Sequence, residues 1–218
     1  MKRHDPALAF ERPRRRMVEE QVLARGITDT RVIDAMLHVP RHVFVDAALA
    51  SHAYQDSALP IGEGQTISQP YMVAKMSQLL NLEGHERVLE IGTGCGYQTA
   101  VLSRLCRRVY SIERIPSLSE RARCNLRAAR HANVMLKCAD GTLGWDEYAP
   151  FDAVLAAAGG GEVPSAWLNQ LRDGGVLVMP VGNAGSHVLV RLRKRGGEVI
   201  EERFDACTFV PLIAGKVG

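Results

Sequence analysis

The sequence predicts an α/β fold, in which a doubly wound, mainly parallel sheet carries helices on both faces. From residue 87 onward, short apolar segments alternate with segments of helical spacing. The first of these apolar segments runs into a glycine-rich turn that opens a helix. The length of 218 residues, with 46% hydrophobic and 23% charged residues, fits one globular domain that is large enough to hold a ligand cleft.

The first 16 residues are strongly basic. They contain six basic and two acidic residues, so their net charge is +4, and the other 202 residues sum to about −1. We interpret residues 1–16 as a basic, flexible arm and residues 17–218 as a single domain. Such an arm could contact nucleic acid, but no other feature indicates a nucleic-acid-binding protein, and we expect no nucleic-acid partner.

Residues 17–80 are predicted to form a helical cap that contains a long loop. The predicted helices lie at residues 17–24, between a cap at Thr28 or Asp29 and Pro40, and at residues 71–80. Residues 51–71 carry prolines and glycines with little periodicity, which indicates a loop. Long ordered loops in compact domains are often functional, so we expect this loop to help to bind the substrate.

Residues 81–182 are predicted to form the cofactor-binding core, and residues 183–218 to form C-terminal strands. The predicted core strands are residues 87–91, 108–112, 134–138, 151–156 and 175–181. The predicted helices between them are residues 97–105, 117–130 and 163–171. The pattern then changes, and residues 187–194 and 198–210 flank an Arg-Gly-Gly turn that is typical of an antiparallel hairpin.

The composition excludes several classes of protein. The longest apolar runs are far shorter than the roughly 20 residues that cross a bilayer, and the N-terminus is too charged for a signal peptide. Five cysteines without a C-x-x-C pair support neither a disulfide framework nor a structural zinc site. We therefore expect a cytoplasmic protein with no metal ion and no membrane partner.

A cofactor site is predicted where the first core strand ends. Gly92, Gly94 and Gly96 let the backbone turn sharply and approach a ligand, and the following helix offers free N–H groups. Their G-x-G-x-G spacing differs from the G-x-G-x-x-G of dinucleotide enzymes. Glu90 precedes this loop, and Glu113 ends the second strand, where a carboxylate suits ribose hydroxyls.

The third strand ends in a similar way. Asp140 and Gly141 follow it, and a carboxylate beside a backbone N–H could bind the edge of an adenine ring. The carboxyl ends of parallel strands meet at one edge of a sheet, so these positions face one crevice. Together they resemble the class I S-adenosylmethionine-dependent methyltransferases, which have a Rossmann-like fold, and the expected cofactor is S-adenosyl-L-methionine.

Further motifs narrow this resemblance. The block Gln-Thr-Ile-Ser-Gln-Pro at residues 65–70, with residues 39–45, 140–145 and 209–212, closely resembles the protein-L-isoaspartate (D-aspartate) O-methyltransferases. The resemblance covers residues 17–212. It implies a protein repair enzyme that transfers the methyl group to the α-carboxylate of L-isoaspartyl residues in damaged proteins and peptides, leading through a succinimide to normal aspartate.

The resemblance also implies residue roles and an assembly state. The implied catalytic residue is Ser68, and family members are mostly monomers. The expected cofactor-binding residues are Gln65, Thr66, Ile67, Ser68, Glu90, Gly92, Thr93, Gly94, Gly96, Glu113, Asp140, Gly141 and Thr142.

The sequence departs from the family pattern in three places. Cys95 stands where the family commonly has serine. Residues 156–161, Ala-Ala-Ala-Gly-Gly-Gly, stand where the family often has a Thr-Ala-Ala-Pro-like sequence, and we expect the glycines to loosen that loop. Residues 205–208 replace a typical Val-Arg, which removes a basic side chain that could bind a substrate carboxylate.

The residues alone leave other interpretations open. Ser68 could simply cap the helix at residues 71–80. A cofactor-sensing module could bind RNA through the arm. An enzyme that methylates the amino group of a nucleic-acid base needs an Asn/Asp-Pro-Pro-aromatic turn, which residues 156–161 do not provide.

A carboxylate acceptor is already ionised at pH 7, so its methylation needs positioning by a hydroxyl more than a strong general base.

Overall fold

The computed structural model describes residues 9–183 and 185–217, and its N-terminal part is helical. The helical segments are, in order, α1 (Glu11–Met17), a π-helical turn (Val18–Val22), a 3-10 turn (Leu23–Arg25) and α2 (Thr30–His38). Residues 1–8 of the predicted arm lie outside the described residues. Residues 11–16 belong to α1 rather than to a flexible arm, because Phe10 stacks on His42, with ring centroids 4.0 Å apart, and Met17 is buried.

A short hairpin lies within residues 51–71, where the prediction of a loop is wrong for the residues of two strands. Strands β1 (Leu59–Gly62) and β2 (Gln65–Ile67) pair in antiparallel fashion. The turn residues Glu63 and Gly64 have φ angles of 53° and 67°. Two positive φ angles define the type I′ turn of two-residue hairpins. The prolines and glycines that indicated a loop therefore build the hairpin.

The main sheet has seven strands. They are β3 (Arg87–Ile91), β4 (Arg108–Glu113), β5 (Val134–Cys138), β6 (Phe151–Ala156), β7 (Leu171–Asn183), β8 (Ser186–Arg195) and β9 (Glu198–Cys207). Their order is β5-β4-β3-β6-β7-β8-β9. Pairing is parallel from β5 to β7 and antiparallel from β7 to β9. Strand β7 begins before the predicted residue 175, because Leu171 pairs with Phe151 ahead of an irregularity in register.

Helices cover both faces of this sheet. They are α3 (Pro70–Leu79), α4 (Tyr97–Ser103), α5 (Pro116–Ala128) and α6 (Ser165–Gln170). Successive residues of β3 point to opposite faces. Val88 packs in the apolar cluster that contains α3 and α4, whereas Leu89 packs in the cluster that contains Trp167 of α6. The predicted doubly wound fold is confirmed, and none of the described helices is both long and apolar enough to cross a membrane.

The strand order places a crevice at the carboxyl edge of the sheet. The chain passes from β3 to β4 on one side, and β6 then pairs with β3 on the other side. In open α/β sheets, ligands bind where the strand order reverses in this way. The carboxyl ends of β3 and β6 therefore mark the expected position of a ligand.

Candidate active site

The glycine loop after β3 turns sharply at this crevice. Gly92, Gly94 and Gly96 have φ angles of 89°, 55° and 92°. A β-carbon on Gly96 would lie 3.2 Å from Cγ of Leu126, and one on Gly94 would lie 3.3 Å from Cδ1 of Ile61. The glycines therefore provide both the left-handed backbone and the close approach of the loop to its neighbours.

The carboxylate of Glu113 is hydrogen-bonded to this loop. Its Oε2 accepts a hydrogen bond from the N–H of Gly94 at 2.8 Å, and its Oε1 accepts one from Ile115 at 3.0 Å. The residue is buried, and it lines the cavity that the glycine loop borders, which we call the inner cavity. A carboxylate fixed in this way can accept hydrogen bonds from the hydroxyls of a ribose.

Glu90 lies beneath the loop and not on the wall of the inner cavity. Its Oε2 accepts hydrogen bonds from the hydroxyls of Thr99 at 2.5 Å and Ser111 at 2.6 Å, and the hydroxyl of Thr93 lies 2.6 Å from that of Ser111. Among the contacts of the described residues, Oε1 has no partner. Complete burial raises the pKa of Glu90 to about 7, against the effect of the two hydroxyls. Glu90 supports the loop through Ser111 and Thr93.

The predicted cofactor-binding residues divide into two groups. Those that line the inner cavity are Gln65, Thr66, Ile67, Ser68, Gly92, Thr93, Gly94, Glu113 and Gly141. Those that are not part of its wall are Glu90, Gly96, Asp140 and Thr142. Strand β2 supplies the first three residues of the lining group, so the hairpin forms one side of the cavity.

Asp140 is engaged within the protein. Its Oδ1 accepts hydrogen bonds from the N–H and the hydroxyl of Thr142, at 2.8 and 2.7 Å, and its Oδ2 accepts one from the N–H of Gly215 at 2.7 Å. Burial opposes ionisation, but these hydrogen bonds outweigh it and lower the pKa of Asp140. In this conformation the carboxylate that was predicted to bind adenine holds the C-terminal segment instead.

The C-terminal segment is a part of the site to which sequence reasoning assigned no role. Pro211, Leu212 and Ile213 line the inner cavity. The N–H of Leu212 donates to the carbonyl of Gly159 at 2.7 Å. The family match at residues 209–212 was the only signal for this segment, and it does not reveal that the chain returns across the cofactor cleft.

Two of the three glycines after β6 are hydrogen-bonded to neighbouring segments, which corrects the expected loosening at these residues. The N–H of Gly159 donates to the carbonyl of Val210 at 2.8 Å, and the N–H of Gly160 donates to the carbonyl of Pro180 at 3.2 Å. A β-carbon at residue 159 would lie 2.3 Å from Nε2 of His187. Glycine at residue 159 therefore allows close packing against the buried His187.

A second cavity, which we call the outer cavity, adjoins the inner one. Thr66, Ser68, Ala157 and Val210 line both cavities, so Ser68 lies on their common wall. Helix α3 begins at Pro70 and its N-cap residue is Gln69. The alternative interpretation, in which Ser68 only caps that helix, is therefore wrong.

The inner cavity fits an adenosyl ligand. Glu113 provides a carboxylate for a pair of hydroxyls, and apolar side chains that include Ile91, Ile112 and Ile115 provide walls for a flat ring. Within the described residues there is no group of three or more His, Cys, Asp or Glu side chains that could hold a metal ion.

Known proteins resemble this chain over nearly its whole length. The family model for protein-L-isoaspartate(D-aspartate) O-methyltransferase matches residues 12–217. A protein-L-isoaspartate O-methyltransferase of Geobacter metallireducens is 54% identical over 210 residues, which are 96% of this chain and 97% of the relative. Protein-L-isoaspartate O-methyltransferase 2 of Geotalea uraniireducens is 57% identical over 206 residues, 94% of each chain.

Solved structures of proteins with the same enzyme name are also similar to this chain. A structure named protein-L-isoaspartate O-methyltransferase has a TM-score of 0.83 and 28% identity, and the match covers 91% of this chain and 65% of the other. A Plasmodium falciparum structure with the same enzyme name, in complex with S-adenosyl-L-homocysteine, has a TM-score of 0.79 and 24% identity, covering 92% and 98%, and shows the shared fold. The chain therefore belongs to the protein-L-isoaspartate(D-aspartate) O-methyltransferase family.

Proposed function

We propose that this protein transfers the methyl group of S-adenosyl-L-methionine to the α-carboxylate of L-isoaspartyl residues in damaged proteins and peptides. We infer this reaction from the family to which the chain belongs. The observation that carries the assignment to this chain is the position of Ser68 on the wall between the inner and outer cavities. One cavity would hold the methyl donor and the other the acceptor.

The inner cavity would hold the cofactor. Glu113 would accept hydrogen bonds from the ribose, the glycine loop would lie against the amino-acid part, and Gln65, Thr66 and Ile67 would cover the ligand from the hairpin side. When bound, S-adenosyl-L-methionine supplies an electrophilic methyl group on a sulfonium. Glu90, Gly96, Asp140 and Thr142, which are not part of the cavity wall, would act by supporting the residues that are.

Ser68 would orient the acceptor carboxylate. A carboxylate has two equivalent oxygens and can approach a reaction partner in many directions. A hydroxyl that donates to one oxygen fixes the direction of the other, and orientation of this kind accounts for much of enzymatic catalysis. A neutral hydroxyl does so without the stronger charge-assisted bond of a lysine or arginine, which would make the attacking oxygen less nucleophilic.

The product chemistry explains why methylation repairs the chain. Methylation converts the carboxylate, a poor leaving group, into an ester that can release methanol. The neighbouring backbone nitrogen can then close a succinimide spontaneously, and water opens this ring partly to normal aspartate. The enzyme's task ends with the ester.

We further propose that the enzyme works as a monomer in the reducing cytoplasm, on proteins and peptides and without a metal ion or nucleic acid. The reducing compartment is supported by the five cysteines, which are all free thiols, with Cys95 and Cys106 buried in the core. Burial raises the pKa of the Cys106 thiol to about 12, so it is a structural thiol and not a reactive one.

The test is substitution of Ser68. We expect Ser68→Ala to lower the single-turnover rate on an isoaspartyl peptide by roughly 10- to 1000-fold, with much less change in cofactor affinity. Ser68→Thr keeps the hydroxyl but adds a methyl group, so its rate should lie between those of wild type and Ser68→Ala. Ser165→Ala, an exposed serine outside both cavities, is the matched control. A wild-type rate in Ser68→Ala would refute the role of Ser68.

A further inference from the structure

The outer cavity contains one positively charged side chain from the N-terminal part of the chain. Arg25 ends the 3-10 turn that follows the π-helical turn, and its guanidinium carbon lies 3.6 Å from the centroid of the Tyr71 ring. Both residues line the outer cavity. Among the described residues of that wall, Arg25 is the only one with a positive charge, and it does not line the inner cavity.

The two carboxylates of the outer cavity already have partners within the protein. Asp205 Oδ2 accepts a hydrogen bond from the Tyr71 hydroxyl at 3.0 Å and lies 3.7 Å from Nζ of Lys75. Asp56 Oδ1 accepts a hydrogen bond from Nε2 of Gln69 at 2.8 Å. The carboxylates are thus used to fix the wall of the cavity.

Arg25 is held in place but retains donors. Its Nη1 lies 3.5 Å from Asp56 Oδ2, a long contact, and its side chain is 40% exposed. A guanidinium has five N–H donors in a planar fork that matches a carboxylate, and stacking on an aromatic ring restricts its motion. The stacked fork can therefore bind an incoming carboxylate without losing its own support.

We infer that Arg25 is a specificity-determining residue that binds the carboxylate of the acceptor in the outer cavity. This inference rests on the proposed function. It also accounts for a departure from the family: the cation missing at residues 205–208, where Asp205 stands, is supplied across the cavity by Arg25. Ser68 and Arg25 both line the outer cavity, so the hydroxyl and the guanidinium border the same space.

The position of Arg25 assigns it to binding rather than to the chemical step. It is absent from the wall of the inner cavity, whereas Ser68 lines both cavities. A cation on the outer side would bind the carboxylate oxygen that faces away from the inner cavity, and not the oxygen that attacks. It would therefore raise the occupancy of the acceptor without making the attacking oxygen less nucleophilic. Its loss should therefore change KM more than kcat.

The test measures preference for a carboxylate by binding. Two peptides are compared on enzyme saturated with S-adenosyl-L-homocysteine: an isoaspartyl peptide and its twin with an α-carboxamide. By calorimetry, we expect wild type to bind the carboxylate at least about tenfold more tightly. Arg25→Gln should lose most of this preference, and Arg25→Lys should keep part of it. In turnover, Arg25→Gln should raise KM about tenfold with kcat within about threefold.

Two control variants distinguish recognition from a merely structural role. Asp56→Asn removes the ion pair but keeps the guanidinium, so it should retain the preference for the carboxylate. Arg16→Gln removes an equal charge from an exposed pair with Glu20 and should leave the preference and KM unchanged. Undiminished affinity of Arg25→Gln for S-adenosyl-L-homocysteine shows that the variant is folded.

Either of two results would overturn the inference: a wild-type preference in Arg25→Gln, or an equal loss of preference in Asp56→Asn. The proposed function fails separately, if wild-type enzyme does not methylate the isoaspartyl peptide.

Discussion

At the scale of single residues, the buried carboxylate of Glu90 predicts a pH dependence of stability. It is fully buried, and its two hydrogen-bond donors, Thr99 and Ser111, are both neutral hydroxyls. Burial of a charge without a cationic partner is unfavourable, and the charge of nearby Glu113 adds to this cost. The pKa of Glu90 is therefore raised from its ordinary value of 4.5 to about 7 in the folded protein.

This shift predicts how stability changes with pH. Between pH 4.5 and 7, Glu90 is protonated in the folded state and ionised in the unfolded state. The contribution of Glu90 to the free energy of unfolding is therefore complete below pH 4.5 and is lost as the pH rises to about 7. Glu90→Gln mimics the protonated form and removes this decline. We expect the free energy of unfolding of the variant, relative to wild type, to increase from pH 5 to pH 8 by on the order of 3 kcal/mol. Denaturant unfolding at several pH values measures it. Parallel curves for the two proteins would show that Glu90 is ionised throughout this range.

At the scale of elements, the β1–β2 hairpin connects backbone conformation to the site. Its turn at Glu63 and Gly64 requires two positive φ angles, and its second strand contributes Gln65, Thr66 and Ile67 to the inner cavity. The hydroxyl of Ser117 donates to Glu63 Oε1 at 2.8 Å, which ties the turn to α5. The turn therefore helps to place the residues that would cover the cofactor.

We expect Gly64→Ala to destabilise this turn through its backbone alone. A β-carbon at residue 64 meets no atom within 4 Å, so no clash contributes, but a non-glycine residue at positive φ costs about 1 kcal/mol. The free energy of unfolding should fall by about this amount, and cofactor affinity should fall up to about fivefold. Gly161→Ala is the control, because its β-carbon also meets no atom and its φ is outside the positive region. Equal stability losses in the two variants would mean that the turn conformation is not the cause.

The elements also show what sequence patterns can and cannot predict. The strands at 87–91, 134–138 and 151–156 have the predicted bounds, because each is a short, mainly apolar segment of a parallel sheet bounded by polar or turn residues. The hairpin was missed because positive φ at Glu63 is not visible in the residue type. The return of residues 211–213 over the inner cavity depends on contacts with Gly159 that are distant in sequence.

At the scale of the whole molecule, the candidate site draws on distant parts of the chain. Arg25 comes from the N-terminal helical cap, Ser68 from the segment between the hairpin and α3, Glu113 from the core sheet and Leu212 from the C-terminal segment. Glycines and acids at strand ends predicted the edge of the sheet at which the inner cavity lies, although Glu90 and Asp140 are not part of its wall. The acceptor side was predicted only at Ser68, by family resemblance, because the contact of Arg25 with Tyr71 depends on tertiary packing.

The proposed activity rests on recognition of the isoaspartyl linkage, and one measurement tests it most directly. Wild-type enzyme saturated with S-adenosyl-L-methionine is mixed in single-turnover experiments with an isoaspartyl peptide or with its normal aspartyl twin. The two peptides have the same composition and charge and differ only in which carboxyl group forms the peptide bond. We expect methyl transfer to the isoaspartyl peptide to be at least about a hundredfold faster, about 2.7 kcal/mol of barrier. Equal rates on the two peptides, or no transfer to either, would contradict the account.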